Sequence, residues 1–209
     1  MEKIFVIGAG GHAKVVASIV EEEGLRRIAL FLDDDPSRAG ETFFGYTILG
    51  GRNRLLEETG VPGIRNGLVA VGNNSDRLKV VQWLDDHGFG LVTAVHPSAR
   101  IARGVFVADG SVLMAGTVVN ADTAIGKAVI LNTGATIDHD CIIADGVHIA
   151  PGCHLCGNVS LGRGTFVGAG STVVPGITIG EGVVIGAGSV VIHDVPDHAK
   201  VAGNPCRPV

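Results

Sequence analysis

Residues 125–155 decide the fold, and they read IGKAVILNTGATIDHDCIIADGVHIAPGCHL, with an aliphatic residue at every sixth position. A period of six matches neither an α-helix nor one long strand, so the chain must turn a corner once in each repeat. The spacing continues unbroken over residues 95–191, and nearly half of the protein is therefore expected to be a solenoid. The aliphatic positions are Val95, Ile101, Val107, Leu113, Val119, Ile125, Leu131, Ile137, Ile143, Ile149, Leu155, Leu161, Val167, Val173, Ile179, Ile185 and Val191.

The other positions of the repeat give each hexad one strand and one corner. Four residues after the aliphatic comes a small or modest residue such as Ser111, Thr123 or Cys141, which can point inward. Two inward residues with an outward one between them make a very short strand. Three residues after the aliphatic, most repeats carry Gly, where a tight corner needs positive φ. These glycines are Gly104, Gly110, Gly116, Gly134, Gly146, Gly152, Gly164, Gly170, Gly176, Gly182 and Gly188.

This repeat resembles the hexapeptide transferase family, whose coils wind as a left-handed parallel β-helix with three hexads per turn. The resemblance implies the hand, because most crossovers between parallel strands are right-handed. It also implies a prism of a little over five coils, about 25 Å long at the usual strand spacing. Stacked neighbours would then lie eighteen residues apart.

Residues 1–90 have a different rhythm, in which strands alternate with helices. This pattern predicts a small parallel sheet of the doubly wound kind, followed by a solenoid domain over residues 91–209. We expect strands at 3–7, 28–32, 67–72 and 91–95, and helices at 13–23, 55–59 and 76–87.

A glycine-rich turn follows the first predicted strand. Gly8, Gly10 and Ala13 satisfy G-x-G-x-x-A before a helix, and Asp33 comes twenty residues after Ala13. This is the dinucleotide fingerprint, which places a pyrophosphate on the helix N-terminus and an acid on a ribose hydroxyl. Ninety residues supply only about one of the two nucleotide-binding halves, so a nucleotide joined to another group is expected. A turn that merely packs helix on strand is the alternative.

Five segments carry a more specific resemblance: GAGGH at 8–12, FLDD at 31–34, GNN at 72–74, residues 132–148 and the GNPCR tail at 203–207. They look like the nucleotide-sugar acetyltransferases that make acetamido sugars for glycans, with the sialic acid O-acetyltransferases as close relatives. The resemblance implies a Rossmann-like domain that holds a UDP or GDP amino sugar, acetyl-CoA as the donor, and a homotrimer with CoA between adjacent prisms. The residues it implies for the nucleotide sugar are Gly10, Gly11 and His12 at the phosphates and sugar, Asp33 and Asp34 at the base or ribose, and Gly72 at the nucleotide.

The hexad that begins at Ile137 departs from the repeat, because His139 and Asp140 stand at its corner where most hexads have Gly. Histidine can remove a proton near neutral pH, and a neighbouring carboxylate raises its basicity. The resemblance makes His139 the general base that deprotonates a sugar amine or hydroxyl, with Asp140 as its electrostatic partner. Two solvated corner residues are the alternative.

Four more residues follow from the resemblance. His148 should point outward from a flat face and bond the thioester carbonyl, which would stabilise the oxyanion. Asn132 would lie near the reacting sugar, and the backbone of Ala169 and Ala187 would contact the pantetheine arm of acetyl-CoA. Because Cys141 is predicted to face the core, direct transfer is expected rather than an acyl-enzyme.

Composition and charge limit the partners. The net charge is −5 without a basic run, so no nucleic acid is expected to bind. No apolar stretch reaches spanning length, and we expect a cytoplasmic protein without membrane insertion. Apolar residues expected at outward positions favour the homotrimer; they are Val119, Ile142, Val184 and Val190.

Three other functions stay open at this point. The same fold could acetylate a sugar hydroxyl, as on sialic acid, or could be a scaffold without activity. A metalloenzyme of the γ-carbonic-anhydrase type would need three convergent ligands, and the spacing of His139, His148 and His154 does not match one. We therefore expect no metal.

Overall fold

A computed structural model describes residues 1–57 and 63–209. The chain divides into two compact units, Met1–Ala94 and Val95–Val209. The helices of the first unit are α1 (Gly11–Glu23) and α2 (Asn74–Asp86), with 3₁₀ helices at Pro36–Arg38 and Arg52–Leu56. Its strands are β1 (Glu2–Ile7), β2 (Arg26–Leu32), β3 (Thr42–Phe43), β4 (Tyr46–Thr47), β5 (Asn66–Val69) and β6 (Gly90–Leu91).

The first unit contains the predicted parallel sheet. Among the described residues its strand order is β2-β1-β5-β6, and every pairing is parallel. The central strand β1 is buried from Ile4 to Ile7 because it has a neighbour on each side. Helix α1 ends at Gly24 with φ +67°, as the glycine there predicts. The sheet order brings the ends of β1, β2 and β5 together, which is where the glycine-rich turn lies.

Three local predictions need correction. The strand expected at 67–72 ends at Val69. The strand expected at 91–95 is two short strands, because Val92 still bonds to Gly67 of the first sheet whereas His96 bonds to Leu113 of the solenoid. The helix expected at 55–59 is a 3₁₀ helix that begins earlier and ends at Leu56, and the last two of its predicted residues lie outside the described residues.

The second unit is the predicted solenoid, and three parallel sheets form its faces. The first face contains β7 (Ala94–Val95), β10 (Val112–Leu113), β13 (Ile130–Leu131), β16 (His148–Ile149), β19 (Phe166–Val167), β22 (Val184–Ile185), β24 (Lys200–Ala202) and the antiparallel β25 (Arg207–Pro208). The second face contains β8 (Arg100–Ile101), β11 (Val118–Val119), β14 (Thr136–Ile137), β17 (His154–Leu155), β20 (Thr172–Val173) and β23 (Val190–Val191). The third face contains β9 (Phe106–Val107), β12 (Ala124–Ile125), β15 (Ile142–Ile143), β18 (Ser160–Leu161) and β21 (Thr178–Ile179).

Stacked strands lie eighteen residues apart, as the repeat predicts. Val118 pairs with Thr136, and Thr136 pairs with His154 one coil further on. The predicted glycine corners all have positive φ, between 62° and 81°. Four corners without Gly take the same conformation, with φ between 55° and 60°, and they are Asp122, Ala128, Asp140 and Asn158. The corner geometry is thus set by the coil and not by the residue type.

The interior is formed by the two inward positions of each hexad. Small inward residues are buried. Hydroxyl groups among them form hydrogen bonds with backbone groups at the corners that lack a backbone partner. Ser111 Oγ, for example, donates to Gly126 O at 2.8 Å and accepts from Val129 N–H at 3.0 Å. These bonds satisfy polar groups in an otherwise aliphatic core.

One of the four residues predicted to point outward does not. Val119 is 1% exposed and belongs to the core, because the second residue of each two-residue strand points inward. Ile142 and Val184 are 59% and 41% exposed in this chain, and Val190 is half-buried. Phe106, on the same face as Ile142, is also exposed. No helix among the described residues has the length and apolar character needed to span a membrane.

Candidate active site

The corner between the second and third faces, here called the second edge, positions His139 between β14 and β15. Asp138 holds this corner, since its Oδ1 accepts the backbone N–H of His139 at 2.9 Å and the side-chain amide of Asn120 at 3.0 Å. The backbone N–H of Asp140 donates to Ala121 O in the preceding coil at 3.1 Å. The His139 side chain is 55% exposed and projects from a fixed backbone, as predicted for a corner.

The His139 imidazole is hydrogen-bonded to Asp140. Nδ1 of His139 lies 2.7 Å from Oδ2 of Asp140, so Nδ1 carries a proton and Nε2 is left to accept another. The hydrogen bond to Asp140 is the main cause that raises the pKa of His139 above 6.5, and the negative charge of Asp138 adds to it. The pair has the chemistry of a general base.

Asn132 and His148 lie together on the first face, and their hydrogen bonds fix the tautomer of the histidine. The backbone N–H of Thr133 donates to Asn132 Oδ1 at 2.8 Å, so the amide NH₂ is the group that faces His148 Nε2 at 3.2 Å. An NH₂ group can only donate, and Nε2 must therefore be the acceptor. The proton of the neutral ring is therefore on Nδ1.

Ala169 and Ala187 lie on the corner between the first and second faces, here called the first edge. They are exposed and one coil apart, and Gly188 N–H donates to Ala169 O at 2.8 Å. In a three-sided prism the second edge is opposite the first face. The structure therefore brings His148 and Asn132 to the side of the prism that holds Ala169 and Ala187. It places His139 across the core from the first face, which carries His148.

The other candidate ligands and nucleophiles of the solenoid do not form a site. His154 lies on the second face, where its Nδ1 is 2.8 Å from Thr136 Oγ1, and it does not converge with His139 or His148. Residues 1–57 and 63–209 contain no group of three side chains that could hold a metal ion. Cys141 is buried, and burial raises the pKa of its thiol, which opposes thiolate formation.

In the first unit, the glycine-rich turn is pinned to the end of β2. Oδ2 of Asp33 accepts the backbone N–H of Ala9 at 2.9 Å, and Arg38 donates to Ala9 O at 2.7 Å and to the same carboxylate at 3.4 Å. Gly10 is the N-cap of α1 and Gly11 is its first residue. A Cβ at either glycine would meet no atom within 4 Å. The start of α1 is thus open to a ligand, with His12 as its second residue.

A cavity of about 270 Å³ lies beside this turn. Asp33 and Asp34 line it, together with Ile7, Gly8, Arg52, Val71, Asp76, Lys79 and Val80. Gly72 follows the lining residue Val71, whereas Gly10, Gly11 and His12 are not in the lining.

Sequence reasoning missed the cations around this cavity. Arg52 pairs with Asp34, with Nε 3.0 Å from Oδ2, and Lys79 pairs with Asp76 at 3.0 Å. Arg77 is 1% exposed and donates to Val71 O and Gly72 O, and burial lowers its pKa to about 10. The only sequence signal for Arg77 is a charge on the apolar side of a predicted helix.

Comparisons with known proteins agree with both units. Residues 3–84 match the family model of the PglD N-terminal domain, and residues 140–174 and 158–193 match the bacterial transferase hexapeptide model of six repeats. A curated relative, UDP-N-acetylbacillosamine N-acetyltransferase of Bacillus subtilis strain 168, is 38% identical over 121 residues. That match covers 55% of this chain, and it spans only about half, 52%, of the relative.

Solved structures match over the whole chain. Perosamine N-acetyltransferase from Caulobacter crescentus, solved as a histidine-to-asparagine variant with CoA and GDP-perosamine, is 39% identical with a TM-score of 0.93. The match covers 100% of this chain and 97% of that one. The acetyltransferase domain of PglB from Neisseria gonorrhoeae FA1090 is 39% identical with a TM-score of 0.91, and both chains are covered completely.

These matches establish the fold that the sequence predicts, a Rossmann-like α/β unit followed by a left-handed parallel β-helix. They also establish the class of enzyme, because the relatives that match along the full length are acetyltransferases. The chain belongs to the hexapeptide-repeat sugar acetyltransferases with a PglD-type N-terminal domain.

Proposed function

We propose that this protein is an acetyl-CoA-dependent N-acetyltransferase that acts on the amino group of a UDP- or GDP-linked amino sugar. The observation that carries the proposal is the His139–Asp140 pair at an exposed corner. It occurs in a chain that is 39% identical, along its full length, to an enzyme solved with CoA and GDP-perosamine. A general base accelerates the attack of an amine on a thioester by taking up the proton that the nitrogen loses.

The first unit would hold the nucleotide sugar. The open N-terminus of α1, with Gly10, Gly11 and His12, suits an anionic diphosphate, because backbone N–H groups and the helix dipole both favour negative charge. The adjoining cavity, with Asp34 in its wall, has room for the base or ribose. Asp33 already accepts the Ala9 N–H, so its contribution is to hold the turn as well as to face the cavity.

The second unit would carry out the transfer. Nε2 of His139 takes a proton from the sugar amine while the amine nitrogen attacks the thioester carbonyl. A C–N bond forms and the C–S bond breaks. The CoA thiolate leaves and is protonated by the imidazolium, which restores the base. Asp140 stabilises the imidazolium between these steps. His148 would stabilise the developing oxyanion from the first face.

The active site would be composite and the protein a homotrimer. His139 on the second edge is opposite the first face, which carries His148, and the backbone sites of Ala169 and Ala187 lie beside that face. Acetyl-CoA that contacts His148, Ala169 and Ala187 can meet His139 only from another copy. Cyclic packing of three prisms supplies that His139 at each junction. Burial of Ile142 and Phe106 between copies would also remove exposed apolar surface. We place the reaction in the cytoplasm.

The direct test is to incubate the protein with acetyl-CoA and a panel of acceptors, namely UDP- and GDP-4-amino sugars and free sialic acid. A colorimetric thiol assay would measure release of CoA, and mass spectrometry would identify the product. We expect thiol release with an amino sugar and an N-acetyl product. Transfer to a sialic acid hydroxyl alone would replace this proposal with O-acetylation, and no transfer to any acceptor would contradict both.

A further inference from the structure

Gly157 lies directly against the imidazole of His139, one coil further along the second edge. A Cβ built on Gly157 would be 2.6 Å from Cε1 and 2.8 Å from Nε2 of His139. A real Cβ atom does not approach another heavy atom this closely, so the ring occupies the space that any side chain at 157 would need. The contact involves the two ring atoms farthest from the His139 backbone.

The need for glycine at this position is not conformational. Gly157 is absent from the residues with positive φ, whereas the next residue, Asn158, takes the left-handed conformation of the corner with φ +60°. An alanine would fit the backbone of residue 157. The absence of a side chain is therefore explained by the neighbour in the adjacent coil.

The residue types at the equivalent position of the other hexads also show that Gly157 is exceptional. Position 157 stands two residues after the aliphatic Leu155, and the equivalent position of every other hexad has a side chain. The full series is Pro97, Arg103, Asp109, Ala115, Ala121, Lys127, Thr133, His139, Asp145, Pro151, Gly157, Arg163, Ala169, Pro175, Glu181, Ala187 and His193. The single glycine of the series is the residue stacked on His139.

The coils cannot separate to make room for a side chain. Asp138 N–H donates to Leu155 O at 2.9 Å, and Asn158 N–H donates to His139 O at 3.0 Å. These bonds fix the spacing on both sides of Gly157. A Cβ at 157 would therefore displace the ring, and displacement breaks the 2.7 Å contact between His139 and Asp140.

We infer that Gly157 is a positioning residue for the acetyl transfer: its missing side chain forms the seat that holds the His139 imidazole against Asp140 with Nε2 presented at the edge. The inference rests on the proposed role of His139 as general base. It extends that role to a residue whose part in the reaction is to leave space.

The variant Gly157→Ala tests the seat. We expect kcat to fall about 10- to 100-fold with KM little changed, because a displacement of about 1 Å of a catalytic group has an effect of that order. In an NMR titration of the ring, the His139 midpoint should move to lower pH as the contact with Asp140 is lost. Ala121→Gly is the matched control, because it exchanges the same two residue types in the opposite direction one coil before His139. It should leave kcat and the midpoint of the His139 titration unchanged.

The double variant His139→Ala/Gly157→Ala separates this role from a structural one. With the ring gone the new methyl has room, so the double variant should be no slower and no less stable than His139→Ala alone. If Gly157→Ala does not fold, the double variant should fold. A further loss in the double variant, or wild-type kcat and titration in Gly157→Ala, would overturn the inference. Full activity of His139→Ala would instead refute the proposed base, and the titration would still test the seat.

Discussion

The two units of this chain position their functional side chains by different means. In the solenoid, the position of each residue follows from its place in a six-residue repeat, and contacts join residues eighteen apart, as between His139 and Gly157. In the first unit, contacts join residues at irregular separations, such as Ala9 with Asp33 and Ala9 with Arg38. The solenoid site is thus built by repetition, and the site of the first unit by the meeting of separate loops.

The difference determines where function is visible in a sequence. A repeat sets an expectation for each position, so a residue that departs from it calls for an explanation. Asp140 replaces a corner glycine, and Gly157 replaces a side chain. Irregular loops set no such expectation, and Arg38, which pins the glycine-rich turn, resembles any other exposed arginine in the sequence.

The largest expected effect is at the corner pair of His139 and Asp140. His139→Ala should lower kcat by about 10²- to 10⁴-fold, because the reaction loses its general base. The rate of thiol release from acetyl-CoA measures it, and His154→Ala, which removes another solenoid histidine, should stay near the wild-type rate. Near wild-type turnover in a folded His139→Ala protein would eliminate the base and leave the corner pair as solvated residues.

A smaller effect is expected from the loops of the first unit. Asp34→Ala removes a carboxylate from the cavity wall, and Asp33→Ala removes the acceptor of the Ala9 N–H. Each should weaken binding of a UDP or GDP sugar by at least about tenfold, the usual loss for a hydrogen bond to a charged group. Titration calorimetry measures the affinity, with Asp86→Ala at the far end of α2 as the control. Unchanged affinity in both variants would place the nucleotide elsewhere.

The smallest change concerns the pH profile. The contact with Asp140 raises the pKa of His139, and a base must be unprotonated to act, so kcat/KM should fall as the pH drops through that raised pKa. Asp140→Asn removes the negative charge, lowers the pKa of His139, and should move this acid limb to lower pH. Asp122→Asn is the matched control, since Asp122 has the same φ of +59° one coil earlier. An acid limb that does not move would assign the pH dependence to another group.

Most of the solenoid could be predicted from the sequence. The hexad series gave the inward positions, the glycine corners and the eighteen-residue stacking, because each coil repeats the same local geometry. The error at Val119 came from assigning an inward position to the outside. The sequence shows Gly157 as the one glycine at its position of the repeat. Its role as the seat depends on where the His139 ring lies in the structure.

Less of the first unit could be predicted. The strands and the glycine-rich turn follow from local pattern, and α1 begins and ends at its glycines. The cavity depends on residues from β1, β2, the loop at Arg52 and α2, and no local pattern links Asp34 with Arg52 or buries Arg77 beneath Val71. The sequence likewise does not show that the pair of His139 and Asp140 lies across the prism from the first face, which carries His148. That separation depends on how three hexads form one coil.

A mixing experiment with two inactive variants tests the central claim, a site shared between copies. His139→Ala and His148→Ala chains with different tags would be co-expressed, and trimers that carry both tags purified. In a cyclic trimer every mixed assembly contains one junction with both native histidines, so we expect activity near one third of the wild type, far above either variant alone. Activity no higher than that of the parent variants would contradict the account, because it would mean that both histidines act within one chain.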